Sequence, residues 1–256
     1  MKPTATRVRP AFRSKSPETD TTYHIYIDAP DPRHEPGLWP AALLMDGDYF
    51  FDPAVEIARE LRAAGEIPPV LLVGVGYGAG FGQPGNHRGR DYTPTASPLE
   101  PDSGGADAFL AYLTQTLWPE LARRHPLRDD ARLIAGHSLG SLLALHALFQ
   151  PRPFFNRALA GAPSIWWDDR SLLRLATKLR DAQATLSGTL FLGVGTEDTA
   201  SMMDDLALLE QQLAARPFAG LRIISERFPG RDHYNSAADC LRAGFRALLG
   251  SGESAR

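Results

Sequence analysis

The sequence lacks a second cysteine, a long uninterrupted apolar run and an excess of one charge. With one cysteine in 256 residues it cannot form an internal disulfide. Its 27 Lys and Arg residues nearly balance 30 Asp and Glu residues, so no basic surface predicts nucleic acid as a partner. No segment has the length of a membrane span or the apolar core of a signal peptide, and residues 1–20 are polar and basic. We therefore expect no membrane partner and a cytoplasmic protein, or a periplasmic or secreted one if a leader has been removed.

The chain alternates short apolar segments with longer segments of helical period, and no linker divides it. We expect one domain over residues 1–256, with residues 1–20 as a poorly ordered or extended segment. Strands are predicted at residues 23–27, 41–45 and 70–75, then at 131–135, near 158, at 189–194 and at 221–227. This β-α order predicts an α/β fold with a mostly parallel sheet and helices on both faces.

Helices are predicted between these strands. The first should be capped by Asp52, with Pro53 in its first turn and Gly65 at its end. The others are predicted at residues 106–124, 139–149, 171–180 and 201–215, with one more after the last strand. Residues 78–105 are rich in Gly, Pro and charge and have no sustained period, which predicts a long functional loop.

Ser138 lies at the centre of a Gly-x-Ser-x-Gly motif at residues 136–140. The motif directly follows an apolar strand and opens a helix, which is the position of a nucleophile elbow. There the serine takes a strained backbone conformation, and the glycines allow the strand and the helix to pass closely. The alternative is a tight turn with an N-capping serine. We predict that Ser138 is a nucleophile.

A serine nucleophile needs a histidine base and an acid that orients it. His233 follows the last strand, whereas His146 falls inside a helix and His137 adjoins Ser138, so His233 is the predicted base. Glu197 and Asp198 both follow the preceding strand, and their positions alone do not separate them. Two further carboxylates, Asp204 and Asp205, lie near the first turn of a helix and are expected to be structural.

Acyl transfer also needs N–H donors for the developing oxyanion. Leu139, directly after Ser138, supplies the first predicted main-chain donor, and Gly47 or Asp48, after the strand at 41–45, supplies the second. The competing interpretation of Asp46 and Asp48 is a metal site. Because no set of His or Cys residues accompanies them, we expect neither a metal nor another cofactor.

The chain resembles the esterase family of the α/β-hydrolase superfamily that includes esterase D, feruloyl esterases, mycolyltransferases and siderophore trilactone esterases. The resemblance rests on residues 44–47 with Phe50 and Phe51, on residues 88–94, on the elbow, on residues 162–167 and on the loops that carry the predicted acid and base. It is nearest to the siderophore esterases, whose Gly-x-x-acid motif falls on Asp198, with Glu197 second. Their arginine motif falls on Arg88 and not on Arg90, which implies a position near the substrate; a solvent-exposed arginine is the alternative.

The resemblance implies an α/β-hydrolase fold with no large separate lid domain, and a serine carboxylic ester hydrolase acting on a small-molecule ester. Trp166 is expected to wall the substrate pocket, or else to anchor its loop. Ala162, where relatives often have serine, and Ser141, where a third glycine is common, weaken the transfer of any particular substrate. Acyl transfer to an alcohol and a non-catalytic binding module are the rival functions, and the oligomeric state is left open.

Overall fold

An eight-stranded sheet forms the centre of the computed structural model, which describes residues 9–250. Its strands are β1 (Phe12–Lys15), β2 (Thr22–Asp28), β3 (Trp39–Leu44), β4 (Leu71–Gly76), β5 (Leu127–His137), β6 (Arg157–Gly161), β7 (Thr185–Gly195) and β8 (Ala219–Phe228). Their order is β1-β2-β4-β3-β5-β6-β7-β8. The pairs β1–β2 and β2–β4 are antiparallel and the other five pairs are parallel, which confirms the predicted mostly parallel sheet.

Helices cover both faces of the sheet. They are α1 (Gly47–Ala63), α2 (Arg88–Asp91), α3 (Ala106–Ala111), α4 (Trp118–Arg124), α5 (Leu139–Leu148), α6 (Trp167–Ala182), α7 (Ala200–Ala215) and α8 (Ser236–Leu249), and a π-helical segment, Tyr112–Leu117, joins α3 to α4. One apolar core lies under α3, α5, α6 and α7, and a second lies under α1 and α8. Within residues 9–250 no segment forms a separate lid, and no helix is long and apolar enough to cross a bilayer.

The first helix begins earlier than the sequence predicted. Asp46, with φ 53° and ψ 45°, is its N-terminal boundary residue, and Asp52 lies inside the helix. The left-handed turn at Asp46 leads the chain from β3 straight into α1, so the helix has already formed when it reaches Asp52 and Pro53. The prediction for its other end is confirmed, because Gly65 has φ 71° and follows the helix in a left-handed conformation.

The predictions for residues 1–20 and for residues 78–105 had different outcomes. Within residues 1–20, β1 is an extended strand that pairs with β2, which adds a strand that the sequence did not predict; residues 1–8 lie outside the described part of the chain. Residues 78–105 contain α2 but are otherwise irregular, as expected.

Parallel strands bring their carboxyl ends to one edge of the sheet. The turn after β3, the long segment after β4, and the loops after β5, β6, β7 and β8 therefore meet there. The main chains of β3 and β4 run through the core with every residue buried, which fixes where these loops begin. Every candidate catalytic residue lies on this edge.

Candidate active site

Ser138 occupies a sharp turn between β5 and α5. Its φ of 59° and ψ of −122° are an uncommon conformation for a residue with a side chain. A Cβ atom on Gly136 would lie 2.1 Å from the carbonyl carbon of Gly140, so the strand and the helix approach as closely as the motif predicted. The tertiary structure thus holds a strained serine at the end of a central strand.

The hydroxyl of Ser138 contacts a second serine. Ser164 Oγ lies 3.4 Å from Ser138 Oγ, and the Ser164 N–H donates to the Ser138 carbonyl at 3.3 Å. Ser164 is fully buried after β6, inside the 162–167 motif. The sequence analysis identified the motif but did not predict that the Ser164 hydroxyl lies beside Ser138, because β5 and β6 become neighbours only in the folded sheet.

The acid and base candidates meet at the ends of β7 and β8. Asp198 Oδ2 lies 3.0 Å from His233 Nδ1, and Asp198 Oδ1 accepts the Thr199 N–H at 2.7 Å. Asp198 is buried, whereas the Glu197 side chain is exposed and its N–H donates to the Arg231 carbonyl. The structure therefore pairs Asp198, and not Glu197, with His233.

His137 connects the elbow to the loop that carries His233. Its Nε2 lies 2.6 Å from the His233 carbonyl oxygen, which can only accept, so Nε2 donates the hydrogen bond. Nδ1 is buried and has no hydrogen-bond partner among the described residues. Burial, and then the neighbouring His233, lower the pKa of His137 to about 4.

The third histidine considered as a base, His146, lies away from Ser138. Its Nε2 is 2.7 Å from the Asp107 carboxylate on α3.

A cleft of about 180 Å³ opens beside these residues. It is lined by Phe50, Phe81, Arg88, His137, Ser138, His233 and Tyr234. Ser138 and His233 thus face the same space, although within residues 9–250 the Ser138 hydroxyl is hydrogen-bonded to Ser164 and not to His233. Catalytic hydrogen bonds in unliganded sites are often long and shorten when substrate binds.

Arg88 lies on one wall of this cleft. Its Nε and Nη2 each donate to one oxygen of the Asp46 carboxylate at 2.9 Å, a two-point ion pair in which the Asp46 side chain is 1% exposed. Its guanidinium carbon lies 4.7 Å from the centre of the Phe81 ring. Arg90 instead bonds Asp91 and Thr21, outside the residues that line the cleft. Of the two arginines, the structure therefore places Arg88 beside Ser138.

The predicted oxyanion donors lie at the N-termini of two helices that begin side by side. Leu139 is the first residue of α5, and Gly47 and Asp48 are the first two of α1. A Cβ atom on Gly140 would lie 3.2 Å from Met45 Cβ, so the two helix starts are adjacent. First-turn N–H groups point out of a helix along its axis, where they stabilise negative charge.

The carboxylates of Asp46 and Asp48 are occupied by protein donors. Arg88 holds the first, and the second accepts the Tyr26 hydroxyl at 2.6 Å and the Tyr77 N–H at 2.5 Å. Tyr92 accepts the Asp46 N–H at 2.9 Å and so supports the same turn. These contacts give both acids a structural role, and among residues 9–250 no group of three or more His, Cys, Asp or Glu residues could hold a metal ion.

The two adjacent tryptophans behave differently. Trp166 is 36% exposed and is not among the residues that line the cleft, although it lies two residues after Ser164. Trp167 is buried, and its indole N–H donates to the Thr95 carbonyl at 3.1 Å. Trp167 therefore anchors the loop after β6, and a contact between Trp166 and substrate remains a prediction.

Comparison with known proteins gives the same family that the residues predicted. The model of the family described as "Putative esterase" matches residues 16–237. Ferri-bacillibactin esterase BesA of Bacillus subtilis is 30% identical over 231 residues, which cover 83% of this chain and 79% of that protein. The siderophore triacetylfusarinine C esterase of Aspergillus fumigatus is 35% identical over 143 residues, or 55% of this chain and 49% of that protein.

A solved structure shares the architecture over nearly its whole length. The siderophore hydrolase EstB from Aspergillus nidulans superposes with a TM-score of 0.84 at 24% identity, covering 99% of each chain. Together with the family match and the bacterial relative, these similarities lead to one conclusion. The chain belongs to this esterase family of the α/β-hydrolase superfamily and is a carboxylic ester hydrolase.

Proposed function

We propose that the protein hydrolyses the ester bonds of a siderophore by a Ser-His-Asp mechanism. The observation that supports the mechanism best is that Ser138, on its strained turn, and His233, paired with buried Asp198 at 3.0 Å, face one cleft. Support for the substrate class comes from two relatives, a ferri-bacillibactin esterase and a siderophore triacetylfusarinine C esterase.

In the first step, His233 Nε2 takes the Ser138 proton as Ser138 Oγ attacks the ester carbonyl carbon. The carbonyl oxygen becomes an oxyanion, and the N–H of Leu139 and that of Gly47 or Asp48 stabilise it. Asp198 keeps the proton of His233 on Nδ1, so that Nε2 is free to accept, and stabilises the imidazolium that forms.

Collapse of this intermediate breaks the bond to the alcohol, which leaves with the proton from His233 and leaves an acyl group on Ser138. Water then attacks the acyl-enzyme with His233 again as base, and the acid product departs. Neither step needs a cofactor. Ser164, 3.4 Å from Ser138 Oγ, gives the hydroxyl a hydrogen-bond partner before substrate arrives.

The walls of the cleft suit an ester with aromatic or conjugated groups. Phe81 and Tyr234 are 40% and 52% exposed, and Tyr49 stacks on Phe81 with ring centres 4.1 Å apart. Arg88 keeps N–H groups that Asp46 does not use, and these can bind carbonyl or carboxylate oxygens of the substrate. Trp166 is proposed to extend this surface.

The test compares Ser138→Ala with wild type on a short-chain chromogenic ester, triacetylfusarinine C and a catecholate trilactone. We expect Ser138→Ala to lose at least about 10⁴-fold in kcat/KM and all labelling by a fluorophosphonate probe. Ser187→Ala, at an exposed position on β7, is the matched control and should behave as wild type. Undiminished turnover by Ser138→Ala would reject the mechanism. If the short ester is cleaved but neither siderophore is, the substrate assignment fails and the mechanism stands; new esters formed with added alcohols would indicate an acyltransferase.

A further inference from the structure

The outer edge of β8 is long and open. This strand has ten residues, it pairs with β7 on one side, and its burial pattern is exposed or half-buried from end to end. No residue in the range 9–250 pairs with its other side. An exposed strand edge of this length presents unpaired N–H and C=O groups, which readily pair with another strand.

The direction of these groups follows from one hydrogen bond. The Phe228 carbonyl accepts the Thr196 N–H from the β7 side at 3.0 Å. Main-chain groups alternate in direction along a strand, and the register of β7 with β8 is regular from Leu221 to Phe228. The N–H and C=O groups of Ile223, Ser225 and Arg227 therefore point outward, toward solvent.

Two charges on this strand have no ion-pair partner among the described residues. Arg222 and Glu226 are both exposed and occur in none of the ion pairs, whereas Arg227 on the opposite face bonds Glu210 of α7 at 2.6 Å. Arg222 and Glu226 share one face of the sheet because they are four residues apart. They lie two residues on either side of Ile224, which makes the strand complementary in charge to a copy of itself.

We propose that two copies of the chain pair through β8, antiparallel, about a two-fold axis at Ile224. Residue 222 of each copy then lies opposite residue 226 of the other, so that two Arg222–Glu226 pairs form. Ile224 lies opposite its own copy, and the outward groups of Ile223 and Ser225 exchange main-chain hydrogen bonds. The two eight-stranded sheets become one continuous sheet.

This register is the one that the charges select. Arg222 and Glu226 occupy non-hydrogen-bonded positions, where the side chains of an antiparallel pair are closest. A two-fold axis moved by one residue would place Arg222 opposite Ile224 or Phe228 and leave both charges without an opposite charge across the interface. The proposal concerns assembly alone and does not depend on the catalytic mechanism.

The other edge of the sheet does not offer such a surface. β1 has only four residues, and two of them are Arg13 and Lys15. Arg124 covers Phe12, with its guanidinium carbon 4.4 Å from the ring centre, and Lys15 forms an ion pair with Asp20 at 2.5 Å. Short, positively charged edges resist pairing, so we expect the copies to meet through β8 and not through β1.

Sedimentation equilibrium of the full chain over a concentration series tests the proposal. Wild type should approach twice the chain mass of 27.9 kDa. Arg222→Glu and Glu226→Arg should each weaken the dimer about tenfold or more, because each replaces two attractions by two repulsions. The double variant Arg222→Glu/Glu226→Arg restores opposite charges in the same register and should dimerise like wild type.

The negative charge of Glu226 also attracts the positive charge of Arg246 on α8, so Glu226→Arg changes an interaction within one chain as well. Arg222→Glu is therefore the more specific test of the interface. Esterase activity and the far-ultraviolet circular dichroism spectrum serve as folding controls and should match wild type in all variants, whereas the thermal unfolding temperature should fall in those that lose the dimer. The proposal would be overturned if wild type stays monomeric at every concentration. It would also be overturned if the single variants dimerise as tightly as wild type, or if the double variant is monomeric.

A cross-link measures the register directly. Ile224→Cys should give a covalent dimer under mild oxidation, because only this register brings residue 224 opposite itself. Cys240 is 1% exposed and does not compete. Thr177→Cys, exposed on α6 away from β8, is the matched control and should stay monomeric. An Ile224→Cys variant that cross-links no faster than Thr177→Cys would reject the register.

Discussion

The two sides of the cleft are held together by different kinds of contact. On the elbow side, which comprises the loops after β5, β7 and β8, main-chain bonds join the loops: Thr196 N–H to the Phe228 carbonyl, and Glu197 N–H to the Arg231 carbonyl. A Cβ atom on Gly195 would lie 2.0 Å from the Arg231 carbonyl oxygen, so these loops also touch.

On the arginine side, which comprises the turn after β3 and residues 78–105, side chains make the connections. Arg88 holds Asp46 through two hydrogen bonds, and the Tyr92 hydroxyl accepts the Asp46 N–H. Main-chain bonds persist when neighbouring side chains change, but a side-chain pair is lost with one substitution. We therefore expect the elbow side to keep the chemistry constant while the arginine side determines which ester binds.

Asp198→Asn changes the side-chain pair, Asp198 with His233, that joins the loops after β7 and β8 on the elbow side. Asparagine cannot stabilise the imidazolium and can favour the wrong tautomer of His233, so kcat should fall about 10⁴-fold with an unchanged fold. Glu197→Gln, at the exposed neighbouring position, should retain activity. The measurement is kcat on the short ester; equal losses in both variants would contradict the assignment of Asp198.

Arg88→Met tests the arginine side. It leaves the buried Asp46 carboxylate without its cation, which should cost about 3–5 kcal/mol in the free energy of unfolding. The double variant Arg88→Met/Asp46→Asn removes the stranded charge as well. It should recover most of this stability while KM for the best substrate stays raised.

Urea unfolding and steady-state kinetics on both variants separate these effects. If KM is unchanged in the double variant, Arg88 stabilises the turn and does not bind substrate. If Arg88→Met loses less than about 1 kcal/mol, the pair behaves like an exposed ion pair and the contrast between the two sides weakens.

His137→Phe tests whether a side chain also matters on the elbow side. Phenylalanine fills the space but cannot donate to the His233 carbonyl, so His233 should drift from Ser138 and kcat should fall about 100-fold with little change in KM. His137→Gln retains an N–H donor and should recover most of the activity. If His137→Phe labels with the fluorophosphonate probe at the wild-type rate, this positioning role is absent.

The smallest predicted effect is a pH dependence of stability. The pKa of His137 is lowered to about 4 in the folded chain, so between its unfolded value and pH 4 only the unfolded chain binds the proton. Stability should therefore decrease as pH falls through this range. The sign follows from burial, which lowers this pKa, and Nδ1 is buried without a hydrogen-bond partner within residues 9–250.

Relative to His137→Gln, which does not titrate there, wild type should lose about 2 kcal/mol between pH 7 and pH 5. Urea unfolding of both proteins at each pH measures the difference. Parallel stability curves for wild type and His137→Gln would show that this histidine is not the titrating group.

Most of the fold was predictable because buried parallel strands carry a strong local pattern. The apolar run at residues 41–45 and the Gly-x-Ser-x-Gly motif placed β3, β5 and the elbow. The start of α1 was predicted at Asp52, a good capping residue, because nothing local shows that Asp46 takes a left-handed turn. β1 was missed because it has only four residues, three of them polar, and because its pairing with β2 is not visible in the sequence.

By itself, the sequence determined the fold class, the nucleophile candidate and the loops in which its partners must lie, because the carboxyl ends of parallel strands meet at one edge of the sheet. The resemblance ranked Asp198 ahead of Glu197, and the tertiary structure placed the Asp198 carboxylate beside His233. Only the tertiary structure joined Arg88 to Asp46 and brought Ser164 and His137 to the site. Each of these contacts joins residues that are distant in the chain or differ only in side-chain direction. Such contacts depend on how strands and loops pack, and local sequence patterns do not predict that packing.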